Sequence, residues 1–181
     1  MMKLFNKRYR NLTIGEIDML KALFSDSINY QNVKIYKDKF LPFQKTNVAI
    51  SPNGNIYFDE KHHKDDFSLS SNSDKMWFVH EMTHVWQYQN GCNIIKNALK
   101  FFLKGQYKNG QIYCYDNECK IKQFCEFNLE QQATIIEHYF GAKYLGIGKY
   151  ISKLSYLENN LSEFLKNPKD KTLIPSNKIF D

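Results

Sequence analysis

The chain has 181 residues, 43% apolar and 24% charged, with a formal net charge of +6 at pH 7. These values suit one compact domain with a core of its own, and no stretch approaches the ~18 consecutive apolar residues of a membrane span. The lysines and arginines are spread along the whole length without the dense basic run of a nucleic-acid or membrane arm, so the positive charge reads as a solvated surface and no nucleic-acid partner is expected.

The N-terminal residues Met1 to Arg10 lack an apolar signal-peptide core, so the chain is expected to be cytoplasmic when synthesised. Export by a non-Sec machine that accepts folded cargo leaves no such signal. Thr13 followed by Glu16 is a capping-box pattern, and Ile17, Leu20, Leu23 and Phe24 recur behind it at helical spacing, predicting a helix over 14–25. Short extended segments follow around 32–37, 46–51 and 55–59. The last two are joined by Ser51-Pro52-Asn53-Gly54, whose residues supply the torsions of a hairpin turn, so a small antiparallel β unit is expected. A helix capped by Ser73 or Asp74 should run to Gln89 and close at Asn90-Gly91. Further helices are predicted over 93–104, from Asn128 as cap to about 145, and over 149–165 after the break at Gly146-x-Gly148. Residues 112–115 read as extended. From Asn167 the chain becomes polar and contains Pro168 and Pro175, the pattern of a loosely held tail. The reading is an α+β domain over 1–166 with a C-terminal tail over 167–181.

Cysteines stand at 92, 114, 119 and 125, with the spacing of neither a metal knuckle nor a redox pair, and read as reduced and structural.

The chemistry concentrates at His80-Glu81-Met82-Thr83-His84. In H-E-x-x-H on a helix, two imidazoles four residues apart leave the same face one turn apart and can grip one ion. Glu81 projects about 100° round from His80, placed to take a proton from water polarised by a metal and to return it to a leaving amine. Neutral imidazole is a good zinc donor, so Zn2+ is the expected cofactor. On a helical wheel Phe78, Val79, Met82, Val85 and Trp86 gather on one side. The histidines lie opposite, flanked by Trp77, Gln87 and Tyr88, like the wall of a cleft.

A catalytic zinc needs a third protein ligand. Glu130 is the first candidate, because Glu130, Thr134 and Gly141 share a stripe of the 128–145 helix with Ala133 beside it, and small residues there allow close approach to the motif helix. Glu137, Glu126 and His138 are the alternatives; Glu137 lies two turns from Glu130, roughly 10 Å along the axis, so both cannot bind one ion. For the developing oxyanion, Tyr113, Tyr115 and Tyr139 are candidates. The adjacent pair His62-His63 points in divergent directions and makes a poor metal pair.

H-E-M-T-H-V-W-Q-Y-Q at 80–89, S-P-N-G-N-I-Y-F at 51–58 and F-N-L-E-Q-Q-A at 127–133 together resemble small bacterial zincin-like proteins of the Vgr- and Rhs-related kind, associated with type VI secretion and contractile injection systems. The resemblance implies a minimal zincin-like fold and a gluzincin-type site with His80, His84 and Glu130 as metal ligands and Glu81 as catalytic base. Glu130 would match the third-ligand glutamate of E-x-x-A-D and E-x-x-A-N peptidases. Thr134 departs from that pattern, standing where those families place an Asp or Asn that orients a ligand histidine. The implied function is a zinc metallopeptidase acting on a protein or peptide, with secretion-system components as partners. The rival is a non-catalytic, zinc-stapled structural or adaptor protein. Zincins in general also suggest that the segment Val48, Ala49, Ile50 receives a peptide by β-augmentation.

Overall fold

Thr13 and Glu16 close the reciprocal box the sequence predicts: the Thr13 hydroxyl accepts from the Glu16 amide at 3.1 Å, and the Glu16 carboxylate accepts from the Thr13 amide at 2.9 Å. Helix α1 (Ile14–Phe24) starts there. Glu16 is fully buried, and a buried carboxylate must be paired and hydrogen-bonded. Arg10 supplies a bidentate pair at 2.7 and 2.8 Å and the Phe67 amide a further donor at 2.8 Å. One side chain therefore ties the N-terminal strand, α1 and the 3-10 turn Phe67–Leu69 together. The computed structural model describes residues 8–42, 44–108, 110–115 and 122–175.

The sheet differs from the expected antiparallel unit. Its three strands, β1 (Tyr9–Asn11), β2 (Lys34–Tyr36) and β3 (Ile56–Tyr57), lie in that order, with β1 antiparallel and β3 parallel to β2. The sequence reading lacks β1 and gives a strand to 46–51, which contributes only the antiparallel bridge of Ile50 with Tyr57. The reason is a side-chain competitor: the Gln44 amide donates to the Val48 carbonyl at 2.7 Å, occupying the acceptor that the next step of the ladder would use. The Ser51-Pro52-Asn53-Gly54 turn survives. Gly54 has φ +78, and a Cβ on it would meet the Tyr88 ring at 2.8 Å, so the turn lies flat on the following helix.

That helix, α2 (Asn72–Gln89), begins earlier than expected because Ser71 is the cap, accepting from the Asp74 amide at 3.2 Å and donating to its carboxylate at 2.8 Å. It ends at Asn90-Gly91 with Gly91 at φ +97. Phe78, Val79, Met82, Val85 and Trp86 are buried as the wheel predicts, but so are His80, Glu81, His84 and Gln87. The histidine side is not a bare cleft wall, because α4 (Leu129–Lys143) packs along it. The small stripe permits this approach: Ala133 is fully buried, and a Cβ at Gly141 would come within 3.0 Å of both Met76 and Tyr150.

Asn93 caps α3 (Ile94–Leu103), and Asn128 with Gln131 caps α4 by a second reciprocal box. Residues 111–113 form a 3-10 turn where an extended segment was expected. After Gly146, at φ +65, the expected single helix is two, α5 (Gly148–Ile151) and α6 (Leu154–Lys166). The core centres on Trp86, whose ring meets Phe164 edge-on at 5.2 Å while Phe164 meets Phe24 at 5.8 Å. The tail is held more firmly than its composition suggests: the Trp86 indole donates to the Pro168 carbonyl at 2.8 Å and Leu173 is buried. Residues 176–181 lie outside the described part. The fold is thus α+β, mostly helical with a small sheet. No helix among the described residues is long and apolar enough to cross a membrane.

Candidate metal centre

The four-residue step along α2 sets the His80 and His84 rings 5.1 Å apart and nearly perpendicular. Glu130, in the first turn of α4, enters between them: one carboxylate oxygen lies 3.3 Å from Nε2 of His80 and 3.3 Å from Nε2 of His84. One donor atom from each of the three residues lies within 4.8 Å of the others. Two imidazoles and one carboxylate are the donor set of a borderline divalent ion such as zinc, with positions left for water or substrate, so these residues fit the expected ion.

The outward ring nitrogens are also engaged. His80 Nδ1 lies 3.1 Å from a Glu137 oxygen, and His84 Nδ1 lies 2.8 Å from the Gln87 side-chain carbonyl. With Nδ1–H donated outward, each ring in its neutral form would present an Nε2 lone pair to an ion bound at the centre. Gln87 is itself fixed, its amide donating to the Leu129 carbonyl at 3.1 Å and the Gln132 carbonyl oxygen at 3.0 Å. Gln132 in turn donates to the carbonyls of Phe124 and Leu173, each at 2.8 Å. A line of buried amides thus runs from His84 to the C-terminal segment.

Glu81 projects to one side, where the buried Ser51 hydroxyl donates to its carboxylate at 2.6 Å. Thr134 orients neither histidine; its hydroxyl donates to the Glu130 carbonyl at 2.8 Å, one turn back in its own helix. The Tyr107 hydroxyl donates to the second oxygen of Glu130 at 3.0 Å, and the Tyr113 ring lies 6.2 Å from that of His80.

Burial pushes the His80 ring toward its neutral form, but hydrogen bonds and charge from Glu130 and Glu137 outweigh it, raising the pKa to about 10. His84 is raised in the same way, burial opposing and Glu130 prevailing. Burial likewise disfavours the Glu130 carboxylate, yet the two histidines hold its pKa far below the ordinary carboxylate range. Burial, then the charges of Glu130 and Glu81, raises the Tyr113 hydroxyl. In the metal-free fold the protonated His80 ring is held against the Glu130 carboxylate, a charge balance that a bound divalent ion would replace.

The fold brings His80, Glu81, His84 and Glu130 together and separates the alternatives. Glu137 reaches His80 from the outer side, Glu126 accepts from the Gln123 amide at 2.6 Å in its own turn, and His138 pairs with Tyr115 at 2.7 Å. Tyr115 is thereby occupied and Tyr139 packs on Tyr144, which leaves Tyr113 as the expected tyrosine nearest the site. His62 sits against Asp59, remote from the cluster's hydrogen bonds. Cys92, Cys114 and Cys125 are free thiols, and Cys119 lies outside the described residues. Sequence reasoning missed the roles of Ser51, Gln87 and Tyr107. Gln87 carries a legible signal, since it stands one helical turn beyond His84; Tyr107 arrives through a loop and carries none.

No family model matches the chain. The chain is 38% identical over 137 residues to the type VI secretion system spike protein VgrG2b of Pseudomonas aeruginosa, a match covering 72% of this chain and 13% of that protein. Among solved structures it resembles the effector domain of Pseudomonas aeruginosa VgrG2b, with a TM-score of 0.70 and 34% identity, covering 84% of this chain and 88% of the other.

Proposed function

The chain belongs to the family of the VgrG2b effector domain, and from that premise we propose that it is a zinc-dependent peptidase acting as a type VI secretion effector. The observation that carries the reading is the meeting of His80 and His84 Nε2 with one oxygen of Glu130, each at 3.3 Å. Membership also supports a secretion-system partner and export without a Sec signal. A metallopeptidase of the zincin kind with a protein or peptide substrate is the finer reading that the donor set and the adjacent Glu81 support.

His80, His84 and Glu130 would hold the ion. Zinc bound there supplies Lewis acidity toward water and toward a substrate carbonyl. Glu137 and Gln87 keep the two rings in register by holding their Nδ1 atoms. Glu81, held by Ser51, accepts the proton of the attacking water and returns it to the departing amine. Tyr113, whose ring lies 6.2 Å from that of His80, is proposed to donate to a developing oxyanion. The segment Val48, Ala49 and Ile50 leads into Ser51 and so runs past the catalytic carboxylate. It is proposed as the edge that pairs with substrate backbone, although the Val48 carbonyl already accepts from Gln44.

The test is the Glu81→Gln variant assayed beside wild type for bound zinc and for cleavage of a broad peptide library. Zinc is expected to stay at one per chain with turnover abolished. Equal cleavage by the variant would refute the mechanism. One observation favours the second reading, a non-catalytic zinc staple: both histidines are buried and Tyr107 closes over Glu130, as in structural sites that admit no substrate. Stoichiometric zinc with no cleavage by the wild type would decide for it.

A further inference from the structure

Helix α3 is apolar on two sides. Ile94, Asn97 and Phe101 are buried and fix its inner face. Ile95, Leu99, Phe102 and Leu103 fall on the outward face and are 53%, 56%, 71% and 75% exposed. Single exposed apolar residues are ordinary, but four on one face of one helix mark a docking surface. The neighbouring charge is one-sided. Between Glu81 and Asp116 the sequence holds Lys96, Lys100, Lys104 and Lys108 and no Asp, Glu or Arg. The first three lysines recur at four-residue steps, so they line one flank of the apolar stripe.

We propose that this face of α3 is a peripheral docking surface for an anionic phospholipid bilayer. The proposal is independent of the zinc reading. An amphipathic helix with Leu, Ile and Phe on one side and lysines along its flank is the pattern that lies in a membrane interface, its lysine stems reaching back to the headgroups. Side chains half to three-quarters exposed form a ridge, and a bilayer receives a ridge without a matching groove. The charge also argues against a second copy as occupant, since pairing the stripe with itself would bring two sets of three lysines together.

The test is co-sedimentation of the full chain with vesicles of phosphatidylglycerol and phosphatidylethanolamine, and with vesicles of phosphatidylcholine alone. Binding to the anionic vesicles is expected, weaker by about tenfold or more on the neutral ones and falling with added salt. The double variant Phe102→Asp, Leu103→Asp should lose about tenfold or more of that binding while keeping zinc content and thermal stability, because both positions are exposed. Lys96→Glu with Lys108→Glu should weaken binding and flatten its salt dependence. Absence of binding to anionic vesicles, or binding indifferent to both double variants, would overturn the proposal. So would a concentration-dependent dimer in sedimentation equilibrium that Phe102→Asp, Leu103→Asp abolishes, which would assign the stripe to a second copy.

Discussion

His80 Nδ1 lies 3.1 Å from a carboxylate oxygen of Glu137, two helical turns along α4 from the glutamate that meets Nε2 of the same ring. One helix thus supplies both the carboxylate that would share a metal with His80 and the carboxylate that orients it. Groups that orient a ligand histidine typically contribute 10–100-fold in metal affinity.

Glu137→Gln is therefore expected to weaken zinc binding about tenfold, and Glu137→Ala by up to about a hundredfold. Thr134→Ala should change it by less than about twofold, because the Thr134 hydroxyl is spent on the Glu130 backbone carbonyl. Competition with a chelating dye measures all three. A large loss in Thr134→Ala alone would reverse the assignment.

Ser51→Ala removes a buried, charge-assisted donor from Glu81, an interaction of about 1.5–3 kcal/mol. With zinc content unchanged, kcat should fall roughly ten- to a hundredfold and KM should hardly move. A KM effect with intact kcat would place Ser51 in substrate binding instead.

Zinc bound at the proposed centre would have to displace the His80 proton. The His80 pKa in the metal-free fold is raised to about 10, so below that value the ring carries a proton that the ion expels. Zinc affinity should rise with pH, by up to about tenfold per unit for each proton released. Calorimetric titration near neutral pH in buffers of different ionisation enthalpy should report release of at least one proton. In the metal-free protein, the stabilising contribution of His80 is fully present below its unfolded value of ~6.5 and is lost as pH climbs to about 10. That of Glu130, whose pKa is lowered, is present above ~4.3 and is lost as pH falls below it. Urea unfolding in chelator across that range checks both signs.

Gly54 and Gly91 both have positive φ, but only Gly54 lacks room for a Cβ, with Tyr88 at 2.8 Å. Gly91→Ala should cost only the backbone penalty of about 1–2 kcal/mol. Gly54→Ala adds displacement of the Tyr88 ring and should cost about 2–4 kcal/mol, a drop in Tm of several degrees. Equal shifts in thermal melts would mean that the turn does not bear on α2.

The sequence by itself determined what local geometry dictates. A period of 3.6 residues puts His80 and His84 on one face and Glu81 beside them, whatever the rest of the chain does. The boxes at Thr13 with Glu16 and the cap at Asn128 are likewise decided within one turn of helix. Only the tertiary structure decides which of Glu130, Glu137, Glu126 and His138 comes within reach of both Nε2 atoms, and it brings Glu130 there. The choice depends on how α4 slides and rotates against α2, and that is set by Ala133, Gly141 and the partners packed around them. Short strands were misread because pairing is long-range: β1 finds its register across an intervening helix, and Gln44 competes for the Val48 carbonyl from outside the ladder. The same holds for Ser51 against Glu81, for the docked segment at Pro168 and for the outward face of α3, where hydropathy reveals an amphipathic helix but burial alone tells which apolar side faces water.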